Sequence, residues 1–114
     1  MSAITTHVLD ISKGAPASGV PIALEIETDD GGWQLLGKGT TDGDGRLRDL
    51  LPVDKPLAIG TYRLIFDTET YFRAHNVEGF YPFVLVVFSI LDTDEHYHVP
   101  LLLSPYGYST YRGS

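Results

Sequence analysis

The sequence predicts an all-β fold, a sandwich or barrel of about eight strands with one short helix. Three observations carry that expectation. Short runs rich in Val, Ile, Leu, Thr and aromatic residues recur along the chain. Twelve Gly and seven Pro separate them at turn spacing. Several runs alternate apolar with polar residues, the period of a half-buried strand.

The first run is ITTHVLDI at 4–11, and KGAPASG at 13–19 is a loop. VPIALEIET (20–28) puts Ile22, Leu24 and Ile26 on one face and Ala23, Glu25 and Glu27 on the other. DDGG (29–32) turns the chain into WQLLGKGTT (33–41). TDGDG (41–45) is a second turn, and RLRDL follows it. LPVDKPLAIG reads as a longer connection. TYRLIFDTE (61–69) alternates again, with Tyr62, Leu64 and Phe66 together. ETYFRAHN (69–76) breaks the pattern, because Tyr71, Phe72 and His75 fall at helical spacing. PFVLVVFSIL (82–91) is continuously apolar, as in a strand covered on both faces. HYHVPLLLS (96–104) and GYSTYRG (107–113) complete the set. No repeat, low-complexity tract or linker divides the chain, so residues 1–114 read as a single domain. The apolar strand exceeds what one small core needs, and such a surplus points to an oligomer interface.

Composition excludes several functions. Eight Lys and Arg stand against 15 Asp and Glu, a net charge of −7. An acidic surface repels phosphate backbones, so no nucleic-acid partner is expected. The chain has no Cys, which removes thiol nucleophiles, disulfides and thiolate zinc sites. No apolar run approaches the ~20 residues of a membrane span. MSAITTHVLD lacks a basic start and a long apolar core, so a cytoplasmic location is expected.

Four imidazoles are available. His7 shares a strand face with Thr5 and Leu9, and His96 shares one with His98. A His-x-His pair can reach one metal, but no third ligand is indicated. Arg46 opens a strand after a turn rich in Asp and Gly, and it gains meaning only if it faces an anion. D-x-D-G lacks the later ligands of an EF-hand loop. Tyr111, Arg112, Gly113 and Ser114 gather an aromatic ring, a guanidinium and a hydroxyl within four residues. No G-x-S-x-G elbow, phosphate loop or dinucleotide fingerprint is present. The residues alone lead to an acidic, oligomer-prone β-sandwich whose His and Arg side chains have no assigned use.

Four stretches, THVLDISKGAPASGVPI (6–22), TTDGDGR (40–46), FYPFVLVVF (80–88) and HYHVPLLLSPYGYSTYRGS (96–114), are recognisable together. In them the chain resembles the 5-hydroxyisourate hydrolases, transthyretin-like enzymes of purine catabolism. YRGS is the most specific motif, because it separates the enzymes from the hormone carrier transthyretin. The resemblance implies a transthyretin-like β-sandwich of two four-stranded sheets with one short helix. It also implies a homotetramer, a dimer of dimers, with sites at the dimer–dimer interface. The implied reaction is cofactor-free, metal-free hydrolysis of 5-hydroxyisourate to 2-oxo-4-hydroxy-4-carboxy-5-ureidoimidazoline. Water attacks the C6 lactam carbonyl, assisted by histidine.

By the same resemblance His7, Arg46, His98 and Ser114 are the catalytic positions. Substrate contacts fall to His7, Arg46, Tyr111 and Arg112. His7 and His98 share the proton transfers, and Arg46 holds the anion or oxyanion. Tyr111 packs on the substrate ring, while Arg112 and Ser114 shape the floor. His75 and His96 match no catalytic motif. A carrier of apolar ligands would instead line its channel with small or aliphatic residues. A purely structural sandwich would leave the tail motif unexplained.

Overall fold

Two twisted sheets face each other across an apolar layer. The computed structural model describes residues 3–52 and 54–114. Met1, Ser2 and Val53, the last within the connection read from LPVDKPLAIG, lie outside the described residues. In chain order the elements are β1 (Ile4–Asp10), β2 (Ala15–Pro16), β3 (Pro21–Glu27), β4 (Trp33–Thr40), β5 (Arg46–Leu47), β6 (Gly60–Phe66), α1 (Thr68–Ala74), β7 (Val84–Ile90), β8 (Tyr97–Ser104) and β9 (Gly107–Thr110). One sheet runs β4-β3-β6-β7. The other runs β2-β1-β8-β9, with β5 also paired to β1, so it has five strands where four were expected. The extra strand is the two-residue β2 inside the 13–19 loop, where Pro16 pairs with Leu9 and Ala15 with Asp10.

Alternation decides which side chains enter the core. On β1, Ile4, Thr6, Val8 and Asp10 point inward, and on β8 Tyr97, Val99, Leu101 and Leu103 do the same. Leu24, Leu64, Phe66, Val84 and Ile90 meet them from the opposite sheet. Each fully buried aliphatic side chain contributes about 1.5–3 kcal/mol. Two inward polar groups are satisfied: Thr6 Oγ1 donates to the Val99 carbonyl at 2.5 Å, and Asp10 accepts from Tyr71 Oη at 2.7 Å.

The structure corrects two sequence-based expectations. Strand β7 is not covered on both faces within the chain. It lies at a sheet edge, and although Val84, Val86 and Ile90 are buried, Leu85 is 47% and Val87 58% exposed. The helix begins at Thr68, and the preceding strand ends at Phe66 rather than Glu69. The reason is a cap: the Asp67 carboxylate accepts from Thr70 N at 3.1 Å and from Thr70 Oγ1 at 2.7 Å, which stops the strand and starts the helix. No helix among the described residues is long and apolar enough to cross a membrane.

Helix α1 is tied to β1 through Asp10. Its carboxylate also accepts from Ser12 N, Ser12 Oγ and Lys13 N. Burial alone pushes this carboxyl up, but the hydrogen bonds outweigh it and hold the carboxyl below the usual range. Burial and the same carboxylate raise the Tyr71 hydroxyl well above the ordinary tyrosine range. We expect Tyr71→Phe to cost about 1.5–3 kcal/mol at neutral pH, the worth of a hydrogen bond to a charged group. Because the folded Asp10 pKa is depressed, that stability is present above the unfolded carboxyl value and is lost as pH falls through the folded one. Chemical denaturation of the two proteins should therefore give a gap that is full at pH 7 and narrows below about pH 4.

Candidate functional site

The outer face of the five-stranded sheet carries the side chains that alternation turns away from the core. In the parallel ladder Thr5 stands opposite His98 and His7 opposite Pro100. On the other side of β1, His7 stands opposite Arg46. A cleft of about 270 Å³ opens there, lined by Thr5, Thr6, Arg46, Arg48, His96, His98 and Ser114. Thus Arg46, His98 and Ser114 come together, and His7 is paired with Arg46 in the ladder without lining the cleft. The lining holds no Asp or Glu, although the chain carries a net charge of −7.

The turn before β5 places Arg46. The Asp42 carboxylate accepts from the backbone N–H groups of Asp44 at 2.9 Å and Arg46 at 3.0 Å. Val8 N donates to the Gly45 carbonyl at 2.7 Å, pressing the turn against β1. Gly45 has φ +76°, and a Cβ there would lie 2.4 Å from the Val8 carbonyl oxygen, so only glycine permits this approach. No carboxylate among the described residues forms an ion pair with Arg46, whereas Arg48 reaches Asp42 at 4.0 Å.

The imidazoles on this face are held by hydrogen bonds. His7 Nε2 lies 2.8 Å from the Asp44 carbonyl oxygen. A carbonyl only accepts, so Nε2 carries a proton and donates it. His98 Nδ1 is 2.8 Å from Thr5 Oγ1, and His96 Nε2 is 3.1 Å from the same oxygen. The His96 and His98 rings lie nearly parallel, 16° apart, with centroids 6.5 Å from each other. Burial, then the Arg46 charge, then His7 and His96 hold His98 below the ordinary histidine range. His98 is therefore neutral at neutral pH, and its Nε2 has no hydrogen-bond partner among the described residues.

The tail divides between two places. Gly113 N donates to the His98 carbonyl at 2.8 Å, which continues the β8–β9 register and brings Ser114 into the cleft. A Cβ on Gly113 would lie 2.6 Å from His98 Cδ2. Tyr111 and Arg112 line a separate cleft of about 250 Å³ with Val86, Phe88, Tyr97 and Val99. The Arg112 guanidinium sits 4.5 Å from the Tyr97 ring centroid, with Nη2 3.4 Å from Glu95 Oε2. Within one chain, then, neither Tyr111 nor Arg112 lines the cleft of Arg46 and His98. Sequence alone assigns no role to Thr5 or Arg48, His96 has no catalytic match there, and Gly113 enters only as part of the YRGS motif. The available signal was the two-residue strand period, which aligns Thr5 with His7, His96 with His98, and Arg48 with Arg46.

Comparison with known proteins gives a consistent picture. Residues 4–113 match the HIUase/Transthyretin family. A 5-hydroxyisourate hydrolase of Salmonella dublin is 51% identical over 111 residues, covering 97% of this chain and 80% of that protein. The structure of Klebsiella pneumoniae 5-hydroxyisourate hydrolase superposes with a TM-score of 0.84 at 35% identity, over 97% of this chain and 92% of that one. Sea bream transthyretin in complex with thyroxine superposes with a TM-score of 0.91 at 33% identity, over 98% and 95%.

Two measurements test the site's geometry. In an NMR titration the His98 ring should protonate below ~6.5, the ordinary histidine value. Arg46→Gln should move that midpoint up, because a neighbouring positive charge disfavours imidazolium; an unmoved midpoint would remove Arg46 from the site's electrostatics. Gly113→Ala should displace the His98 ring and shift its resonances while leaving the circular dichroism unchanged. Unshifted His98 resonances would show that the tail does not set the ring's position.

Proposed function

The chain belongs to the HIUase/Transthyretin family, and from that premise we propose that it hydrolyses 5-hydroxyisourate in urate breakdown. The observation that carries this reading is His98 and Arg46 lining one cleft that has no Asp or Glu side chain, with no ion pair to Arg46 among the described residues. Such a lining suits a planar, oxygen-rich anion and not an apolar ligand, which favours hydrolysis over carriage.

Each group has a role in that chemistry. The bare nitrogen of His98 takes a proton from water as the water oxygen attacks the C6 carbonyl. The Arg46 guanidinium holds the substrate anion and the oxyanion that develops on attack. His7, fixed through the Asp44 carbonyl, stands beside Arg46 and helps seat the substrate there. Ser114 contributes a hydroxyl at the cleft wall. No step in this scheme calls on a metal or an organic cofactor.

Tyr111 and Arg112 belong to the same reading through assembly. In a dimer of dimers the exposed apolar side chains of Leu85, Val87, Tyr108 and Tyr111 would be covered. A tail from a neighbouring subunit could then reach the cleft that the chain's own Tyr111 does not line.

The test follows the ultraviolet decay of freshly prepared 5-hydroxyisourate with and without protein and with a chelator. Acceleration that survives the chelator is expected, with loss of at least ~10²-fold for His98→Ala. Decay at the spontaneous rate would refute the reading. Light scattering on the active protein should give about 50 kDa, four subunits of 12.5 kDa. An active monomer would refute the interface-located site.

A further inference from the structure

The Thr5 hydroxyl lies between two imidazoles and has a single proton to donate. It sits 2.8 Å from His98 Nδ1 and 3.1 Å from His96 Nε2. All three line the cleft; Thr5 is buried on β1, His98 is half-buried and His96 is exposed, so His96 is the member most open to water. If His98 donates from Nδ1 to Oγ1, the hydroxyl is free to donate onward to His96 Nε2. If His96 donates to Oγ1, the hydroxyl donates to His98 Nδ1. The one hydroxyl proton thus links the tautomer of His98 to the protonation of His96.

We propose that Thr5 and His96 form a proton relay behind His98, with His96 as its solvent-side end. The proposal rests on the hydrolytic reading given above. In the resting state His98 carries its proton on Nδ1, and its Nε2 is bare and faces the reaction. As a water oxygen bonds to the substrate carbonyl carbon, one water proton passes to His98 Nε2. The Nδ1 proton moves to Thr5 Oγ1, and the hydroxyl proton moves to His96 Nε2. The positive charge then rests on exposed His96, the negative charge rests on the substrate oxygen, and His98 is neutral with a proton on Nε2. When the carbon–nitrogen bond breaks, the Nε2 proton goes to the leaving nitrogen. His96 returns its proton through Thr5 to His98 Nδ1. One water is added across the bond and every side chain regains its first state.

The arrangement has a physical purpose. A positive charge on half-buried His98 would face Arg46 from β5, His7 from β1 and His96 just before its own strand. Moving that charge to His96 places it in water. The one residue then serves first as base and afterwards as acid. Thr5 and His96 are positioning residues, because they act on the substrate only through His98.

The experiment has two arms on the full chain. In the first, ¹⁵N spectra of the histidine rings are followed with pH in the absence of substrate. His98 should hold its proton on Nδ1 while His96 is neutral and move it to Nε2 as His96 takes up a second proton. Thr5→Val should abolish that link and Thr5→Ser should retain it. A His98 tautomer indifferent to His96 overturns the relay, whatever the substrate proves to be. In the second, Thr5→Val and His96→Ala should each lower kcat roughly tenfold or more. The double variant should lose no more than either single one, since the two act as a unit. Imidazole in the buffer should restore His96→Ala but not Thr5→Val. Full activity in Thr5→Val, additive losses or no rescue by imidazole would each overturn the relay. If the unaltered protein does not hydrolyse 5-hydroxyisourate, the proposed function fails, and the first arm still judges the relay.

Discussion

The parallel pairing of β1 with β8 is the constraint from which the cleft follows. It joins segments about 90 residues apart in the chain, since Thr5 and His98 are 93 positions from each other. Closing such a loop costs entropy that grows only with the logarithm of its length, about 4 kcal/mol at this separation. Burying Ile4, Val8, Leu101 and Leu103 from the same two strands more than offsets that, at about 1.5–3 kcal/mol each. The apolar side chains fix the pairing, and the pairing then sets Thr5 beside His98. The polar groups need contribute little to stability to be held accurately. Strand β5 adds Arg46 by pairing with β1 on the side away from β8, so three distant segments meet on one sheet face.

A two-residue period divides labour between the faces of that sheet. On β1 His7 and Leu9 are half-buried on the outward face, where Thr5 is buried beside His98, and Ile4, Thr6, Val8 and Asp10 are buried on the inward face. A slip of one residue would carry the β1 imidazole into the core and Val8 into water. Register in the core is thus the same quantity as geometry in the cleft. The tail obeys the same rule: Gly113 returns to His98 in the register that Thr110 keeps with Leu101. Its missing side chain leaves space for the His98 ring.

Local periodicity made most strands legible, and it also marked the outward faces of His7, His96 and His98. It could not show which strands pair. The β1–β8 ladder depends on contacts between chain ends, and nothing in ITTHVLD alone names HYHVPLLL as its neighbour. The two-residue β2 escaped notice because APASG has turn composition, and its pairing comes from the chain folding back on Leu9 and Asp10. Phe66 and Asp67 continued an alternating pattern, so the helix start was visible only through the Asp67 cap. The apolar run at β7 reads as doubly covered because the residues facing away from the core are also apolar. His96 looked incidental because its importance depends on Thr5, a residue with no chemical signature of its own. The resemblance supplied His7, Arg46 and His98 directly, but it could not say that Tyr111 and Arg112 stand apart from them within one chain.

Arg46 has one further consequence for the proposed chemistry. Its positive charge is among the groups that depress the proton affinity of His98. A base so placed is weak in the empty cleft, and it stays neutral over a wide range of pH. An anion seated on Arg46 would cancel much of that charge, and the proton affinity of His98 would rise. The same ligand would displace water and strengthen every remaining electrostatic interaction in the cleft. His98 would therefore become a stronger base when the substrate is bound, and it would weaken again once the product left. Replacing Arg46 with a neutral residue removes this coupling as well as the anion contact. An acidic partner placed permanently beside Arg46 would remove it too, which gives a physical reason for a lining free of Asp and Glu in a chain rich in both.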